Sequence, residues 1–441
     1  MRTIRLILIP LIFLAACVQP APPPEVEPVT VDIFDRMNNV AESYVKLVLA
    51  VGQHDPDYVD AYYGPPAWRD EAKAEKKSLD AIADRARLVR AWLQDITPPP
   101  SASLLGLRYA YLQHQLDALI ARVEMLQGKK FSFDQETKAL YDATIPHYDV
   151  EHYDALLREL DSAVPGDGPL PQRLEAYRRG FVIPNDKLDA VFQAAIHECK
   201  ARTLSAMELP PGESFSVEYV TNQPWSGYNW YQGKFRSIIQ VNTDMPIYID
   251  RAIDLACHEG YPGHHVYNML LEKTLVDGQG WVEYTVYPLF SPQSLIAEGS
   301  ANFGIEMAFP GNERTKFESE TLFPLAGLDP STAAQYDRVQ ALVEKLGYAQ
   351  NEAARGFLDG TMTNDEALQW LEKYALMSPE RAEQRLRFIQ RYRSYVINYN
   401  YGKDLVRYYV ESNGGTEDNP STRWKIFETL LSTPRVASGL H

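Results

Sequence analysis

The stretch from Ile253 to Leu270, IDLACHEGYPGHHVYNML, is apolar enough for a buried helix and yet cannot be one unbroken helix. Pro262 has no N–H to offer the helical ladder, and it pushes Tyr261 out of the α region. Gly263 then permits a backbone path that other residues avoid. Three of the nine His in the chain, His258, His264 and His265, crowd around this break, and Glu259 follows the first of them. The fold must therefore support an interrupted helix loaded with groups that bind metals.

Neutral imidazole and carboxylate are good zinc ligands, and a catalytic zinc keeps one coordination position open. The usual arrangement is H-E-x-x-H, with two His one helical turn apart and the Glu activating water. Here the fourth residue after His258 is Pro262, so that spacing is absent. On an unbroken helix His264 would lie about 240° around the axis from His258. His265 would share the face of His258 but sit about 10.5 Å along the axis. Neither pair could grip one metal at Zn–N distances of about 2.0–2.1 Å. A bulge at Pro262-Gly263 would bring His264 back toward His258, as though two residues had been inserted into H-E-x-x-H. The plainer alternative is a helix end carrying incidental His, but a cluster this tight favours metal.

A third ligand is needed. Leu295 to Phe309, LIAEGSANFGIEMAF, is an apolar helix interrupted by Glu298 and Glu306. A carboxylate there is costly unless it is paired or bound to a cation. Glu298 sits among Ala297, Gly299, Ser300 and Ala301, which leave room for a second helix or a metal. Glu306 is its competitor, or an acceptor that supports a ligand His.

Elsewhere the pattern is mainly helical. Leu105, Leu112, Leu116, Leu119 and Val123 mark one helical face. Thr363 with Glu366 forms a capping-box pattern opening a helix through Trp370 and Tyr374. Ser378-Pro379-Glu380 opens another, expected to run through Phe388, Tyr392 and Tyr395. The middle alternates instead. SFSVEYVT (214–221) and FRSIIQVNT (235–243) read as strands of a small antiparallel sheet, joined by a turn-rich, aromatic connection. The expected fold is a large helical domain with a deep cleft and this small sheet. The strand around Ile239, Val241 and Asn242 is a candidate for holding substrate by strand addition, although core packing explains its apolar residues as well.

The N-terminus reads as an address. Arg2 and Arg5 precede an apolar run from Leu6 to Ala16, too short to span a membrane well. It ends in Leu14-Ala15-Ala16-Cys17, which resembles the lipobox of bacterial lipoproteins, where the Cys becomes the lipid-modified first residue. Val18 in place of Asp points to the outer membrane, facing the periplasm. The expected organisation is a signal peptide (1–16), lipidated Cys17 with a Pro-rich linker (17–32), and a helical domain (33–441) with possible lobes 33–205 and 206–441. Cys199 and Cys257 suit either one disulfide or two buried thiols. The formal charge of -16 argues against a nucleic-acid surface.

The run His258-Glu259-Gly260-Tyr261-Pro262-Gly263-His264-His265, with Glu298-Gly299-x-Ala301 downstream, resembles the bacterial family called domain of unknown function 885. The resemblance is specific at the His motif and looser over most of the chain from about residue 33. Members of that family are largely helical, are often secreted lipoproteins, and are similar to H-E-x-x-H-type zinc peptidases. The resemblance implies His258, His264 and Glu298 as ligands of Zn2+, with His265 as the alternative to His264, and Glu259 as general base. The Gly263-His264 step resembles the Gly-His that ends H-E-x-G-H in oligopeptidase-like zinc enzymes. The family's Tyr-x-x-Gly near the C-terminus is matched by Tyr399 and Gly402, with Tyr401 as the rival Tyr.

Together these residues point to hydrolysis of a peptide or small amide. Zinc would polarise the carbonyl and acidify water, Glu259 would relay the proton, and Tyr399 or Tyr401 would donate to the oxyanion. Arg391 and Arg393 are candidates to meet a substrate carboxylate, although Arg residues on a helix are more often solvated or salt-bridged. The rivals are a zinc amidase acting on cell-wall fragments and a non-catalytic metal-binding envelope lipoprotein. No Gly-rich phosphate loop and no G-x-S-x-G turn support other chemistry.

Overall fold

The apolar face after Pro100 forms a helix from Leu104 to Leu126 that buries Leu112, Leu116, Leu119 and Val123, and the Ser103 hydroxyl caps it by accepting from the Gly106 N–H. The structure, a computed structural model, describes residues 29–223 and 225–441, so the leader, Cys17 and most of the Pro-rich linker lie outside the described residues. A helix runs from Val29 to Val51 and so begins within the expected linker, since no proline follows Pro28 to stop it. It packs on helices Leu79–Gln94 and Leu104–Leu126. Fully buried Arg108 and Glu283 pair at 2.6 Å and tie this layer to the chain beyond the His motif.

The strands are β1 (Val59–Tyr62), β2 (Ser214–Val220), β3 (Gly227–Gly233), β4 (Arg236–Asn242) and β5 (Val286–Pro288). β1 and β5 form an antiparallel ribbon, and the sheet order is β2-β4-β3. The β3–β4 pair is antiparallel, whereas β2 runs parallel to β4, with Val217 opposite Ile239. The connection read as turn-rich itself forms β3. That extra strand reverses the chain a second time, which leaves 214–220 and 236–242 parallel. β4 is therefore central, with Ile239 and Val241 buried. The Asn242 amide donates to the Gln223 and Trp225 carbonyls at 3.0 and 2.9 Å. Both edges of β4 are paired, so it cannot receive a substrate strand; β3 is the edge nearer the His motif.

Thr363 and Glu366 form the capping box of helix Asn364–Tyr374. The next helix, capped by Ser378, stops at Tyr392 instead of running through Tyr395. Arg393 takes φ 55°, a short 3-10 turn follows, and a new helix runs from Ile397 to Ser412. Glu136 stabilises this break. Its Oε2 accepts from Arg393 Nε at 2.8 Å, and its Oε1 from the Ser394 N–H and hydroxyl at 3.1 and 2.6 Å. Charge-assisted bonds of this kind offset the cost of a left-handed Arg. The main apolar core runs from Met37 through Leu116, Val241 and Val406 to Leu440, so the segments 33–205 and 206–441 share one core. No helix among the described residues is long and apolar enough to cross a membrane.

Candidate metal centre

The interruption of the His segment takes a definite form. Helix Asp250–Leu255 widens into a π turn, Ala256–Gly260, and a fresh helix starts at His264 after Gly263. The Gly263 N–H donates to the Cys257 carbonyl at 2.9 Å, folding the chain back over the turn. Only Gly fits there, because a Cβ would lie 1.8 Å from the His258 carbonyl oxygen. The detour brings His264 Nε2 to 3.1 Å from His258 Nε2.

The second wall is helix Pro292–Ala308. Its Glu298 Oε2 lies 3.2 Å from His258 Nε2 and 3.6 Å from His264 Nε2. Ligand atoms held at about 2.0–2.2 Å around a tetrahedral zinc are themselves roughly 3.3–3.6 Å apart; the 3.6 Å spacing lies in that range and the 3.1 and 3.2 Å spacings fall just short of it. Glu298 Oε2 is buried and has no hydrogen bond, as expected of an atom reserved for a cation. The supporting contacts are in place too. His258 Nδ1 meets Asn302 Oδ1 at 3.1 Å, and Tyr395 donates to Glu298 Oε1 at 2.8 Å. Burial alone would raise the Glu298 pKa, but His264 and His258 beside it hold it well below the usual carboxylate range. The side chains of the three groups keep 9–12% exposure.

His265 points elsewhere. It is fully buried, with Nδ1 2.8 Å from Ser237 Oγ and Nε2 3.0 Å from Glu213 Oε2, and Glu213 also pairs with Lys200 at 2.7 Å. It links the motif to the sheet, and His264 faces Glu298. Glu306 is taken by Arg407 and by Lys403, the latter at 2.7 Å. Arg391 is bidentate to Asp57 at 2.6 and 2.8 Å, and Arg393 serves Glu136.

Glu259 is buried beside this cluster. Burial pushes its carboxyl up to about 7, with His264 opposing and Glu298 adding to the rise. Asn229 holds its backbone carbonyl at 2.7 Å. The Tyr399 hydroxyl makes no hydrogen bond among the described residues. Burial, then the Glu298 charge, lifts its pKa well above the phenol range, so it stays a donor. The charged neighbour of Tyr401 is Asp142, away from the cluster. Tyr399 is thus the Tyr at this site, and its carbonyl accepts from the Asn302 amide at 3.1 Å.

Sequence reasoning missed four groups. Asn302 lies four residues after Glu298 and Tyr395 four before Tyr399, spacings that one helical turn makes neighbours. Asp60 on β1 carried no signal. It accepts from the Tyr228 hydroxyl, and burial pushes it up to about 7, with His264 opposing and Glu298 and Glu259 contributing. The fourth, Arg385, lies 5.1 Å from the Phe388 ring, which abuts Tyr399 at 6.2 Å, and no motif surrounds it.

Cys199 and Cys257 are bonded, which ties the residue before His258 to helix Leu188–Ala206 across 58 positions. Replacing both with Ser is expected to cost about 2–4 kcal/mol in urea denaturation, because the π turn loses its tether. Unchanged stability would show that packing alone holds the turn.

No protein-family profile matches the chain, and no curated protein matches it. The solved structures similar to it include the following two. One, from Colwellia psychrerythraea and assigned as a lipoprotein, has a TM-score of 0.52 at 12% identity, covering 82% of this chain and 68% of that one. Another, from Shewanella oneidensis and assigned as a lipoprotein of unknown function, has a TM-score of 0.44 at 13% identity, covering 83% and 79%. The Colwellia likeness shows a shared fold across two chains with very different residues.

Proposed function

We propose that this protein is a zinc-dependent hydrolase, a peptidase of the kind the domain of unknown function 885 family resembles. The observation that carries the reading is the convergence of one atom each from His258, His264 and Glu298 within 4.8 Å, with Glu259 beside them. His258, His264 and Glu298 would hold Zn2+, which when bound would supply a Lewis acid for the scissile carbonyl. Glu259 takes the proton of the attacking water and passes it to the leaving amine. Tyr399 donates to the developing oxyanion. Asn302 fixes the ring of His258, and Tyr395 orients Glu298. The leader ending at Cys17 and the fold shared with a protein assigned as a lipoprotein support an envelope protein held by lipid on the periplasmic face of the outer membrane.

A second reading, an amidase acting on cell-wall fragments, draws on the aromatic surface at β3. Tyr228 lies between Trp225 and Trp230, with ring centroids 5.4 and 4.5 Å apart, a surface on which a sugar ring could pack.

Metal content tests the common part. The purified chain is expected to hold about one zinc. His264→Ala and Glu298→Ala lose it, while His265→Ala keeps it and loses stability instead. No stoichiometric metal, even after zinc reconstitution, would sink both readings. If zinc is present, screening peptides and cell-wall amides side by side separates them.

A further inference from the structure

The cations around the candidate centre are committed to acids, with one exception. Arg391 and Arg393 are held by Asp57 and Glu136. Arg251 pairs with Asp254 at 3.0 Å and reaches Ser226 Oγ at 3.4 Å. Arg385, on helix Pro379–Tyr392, makes no ion pair and no hydrogen bond among the described residues. Arg178, Arg381 and Arg435 are likewise half-buried without an acid, but they lie on Tyr248 or Tyr409, whereas Arg385 lies on Phe388, which abuts Tyr399 of the candidate centre.

Its position is informative. The guanidinium lies 5.1 Å from the centroid of the Phe388 ring. Phe388 abuts Tyr399 at 6.2 Å, and Tyr399 abuts Tyr395 at 5.8 Å. Tyr395 in turn holds Glu298. A continuous run of aromatic contacts therefore leads from Arg385 past the proposed oxyanion donor to the metal ligands. Burial lowers the Arg385 pKa, Tyr399 opposes this and Arg251 adds to it, so the charge is kept at a cost. An incoming anion would repay that cost, and the planar guanidinium matches a carboxylate with two parallel bonds.

We propose that Arg385 anchors a substrate carboxylate, supplied by the free C-terminus of a short peptide, so that the enzyme cuts close to that end. This rests on the hydrolase reading for the cut, but not for the anchoring. Arg385 binds and orients, and takes no part in proton transfer.

The test is calorimetric binding of three probes in the Glu259→Gln background, where turnover is strongly reduced. The probes are N-acetyl-trialanine with a free C-terminus, its C-terminal amide, and the amide of N-acetyl-Ala-Ala-Glu. The free acid is expected to bind about 10- to 100-fold more tightly than its amide. Arg385→Gln abolishes that preference while leaving amide binding unchanged, and Arg385→Lys, which keeps the charge without the fork, retains part of it. Equal binding of acid and amide, including the case where neither binds, overturns the proposal. So does a full preference surviving Arg385→Gln. If the Glu-bearing amide binds as tightly as the free acid, the C-terminal assignment is overturned in favour of an acidic side chain. Zinc content of the same samples separates the two ideas. Zinc without discrimination removes the anchor alone, and discrimination without zinc removes the hydrolase reading alone.

Discussion

Gly263→Ala is expected to destabilise the fold by about 3 kcal/mol and to weaken zinc binding by about 100-fold. The added methyl would sit 1.8 Å from the His258 carbonyl oxygen and 2.4 Å from that of Cys257. Both are backbone atoms, so no side-chain rotation relieves the clash. Relief requires the π turn to shift, and His258 shifts with it. The turn is not free to follow, because Cys257 is bonded to Cys199 and the Gly263 N–H is bonded to the Cys257 carbonyl. His258 Nε2 would then leave its place 3.2 Å from Glu298, and stability and affinity should fall together. His265→Ala is the contrast, losing stability with its metal retained. Urea midpoints and zinc titration measure both quantities. A Gly263→Ala protein with a normal midpoint and full affinity would show that something other than this close approach places His264.

The clustering of His258 with His264 was legible because metal-binding residue types crowd at a point where a helix must break, and that argument needs only Pro262, Gly263 and the spacing of the His. Glu298 was legible for a different reason: small residues around a buried acid imply a close neighbour. The neighbour is helix Ile397–Ser412, since a Cβ on Gly299 would lie 2.3 Å from the Gly402 carbonyl oxygen. Gly299 and Gly402 let the two helices touch, which carries Tyr399 to the site. What was not legible depends on distant partners. The helix break at Arg393 is imposed by Glu136, 257 positions away, and nothing local to Tyr392–Tyr395 announces it. Without that break Tyr395 could not be placed against Glu298. The parallel course of β2 turns on whether 227–233 forms a strand, and its Gly and aromatic residues read equally well as a connection. That Arg385 has no ion pair among the described residues is the absence of a partner, which no local pattern encodes.

Glu259→Gln is expected to cut turnover of any peptide the protein hydrolyses by about 100- to 10,000-fold, with zinc content unchanged. The substitution keeps the shape and removes the proton acceptor. Shape matters because the carboxylate fills space left by Gly227, where a Cβ would lie 2.9 Å from Glu259 Oε1. Gln fits that space, so the variant should fold and bind metal normally. The competitor for the role is Asp60, another buried carboxylate acting on the same His264 and Glu298. The two differ in what holds them. Asp60 already accepts from Tyr228 and sits on β1, apart from the ligands. Glu259 follows His258 directly in the π turn, so its position is set by the ligand itself. Asp60→Asn should therefore cost only about 10-fold, through the loss of a nearby charge. If Asp60→Asn were the more damaging change and Glu259→Gln nearly silent, the proton acceptor would be Asp60. The ligand set would stand, and the likeness to H-E-x-x-H enzymes would stop at the metal.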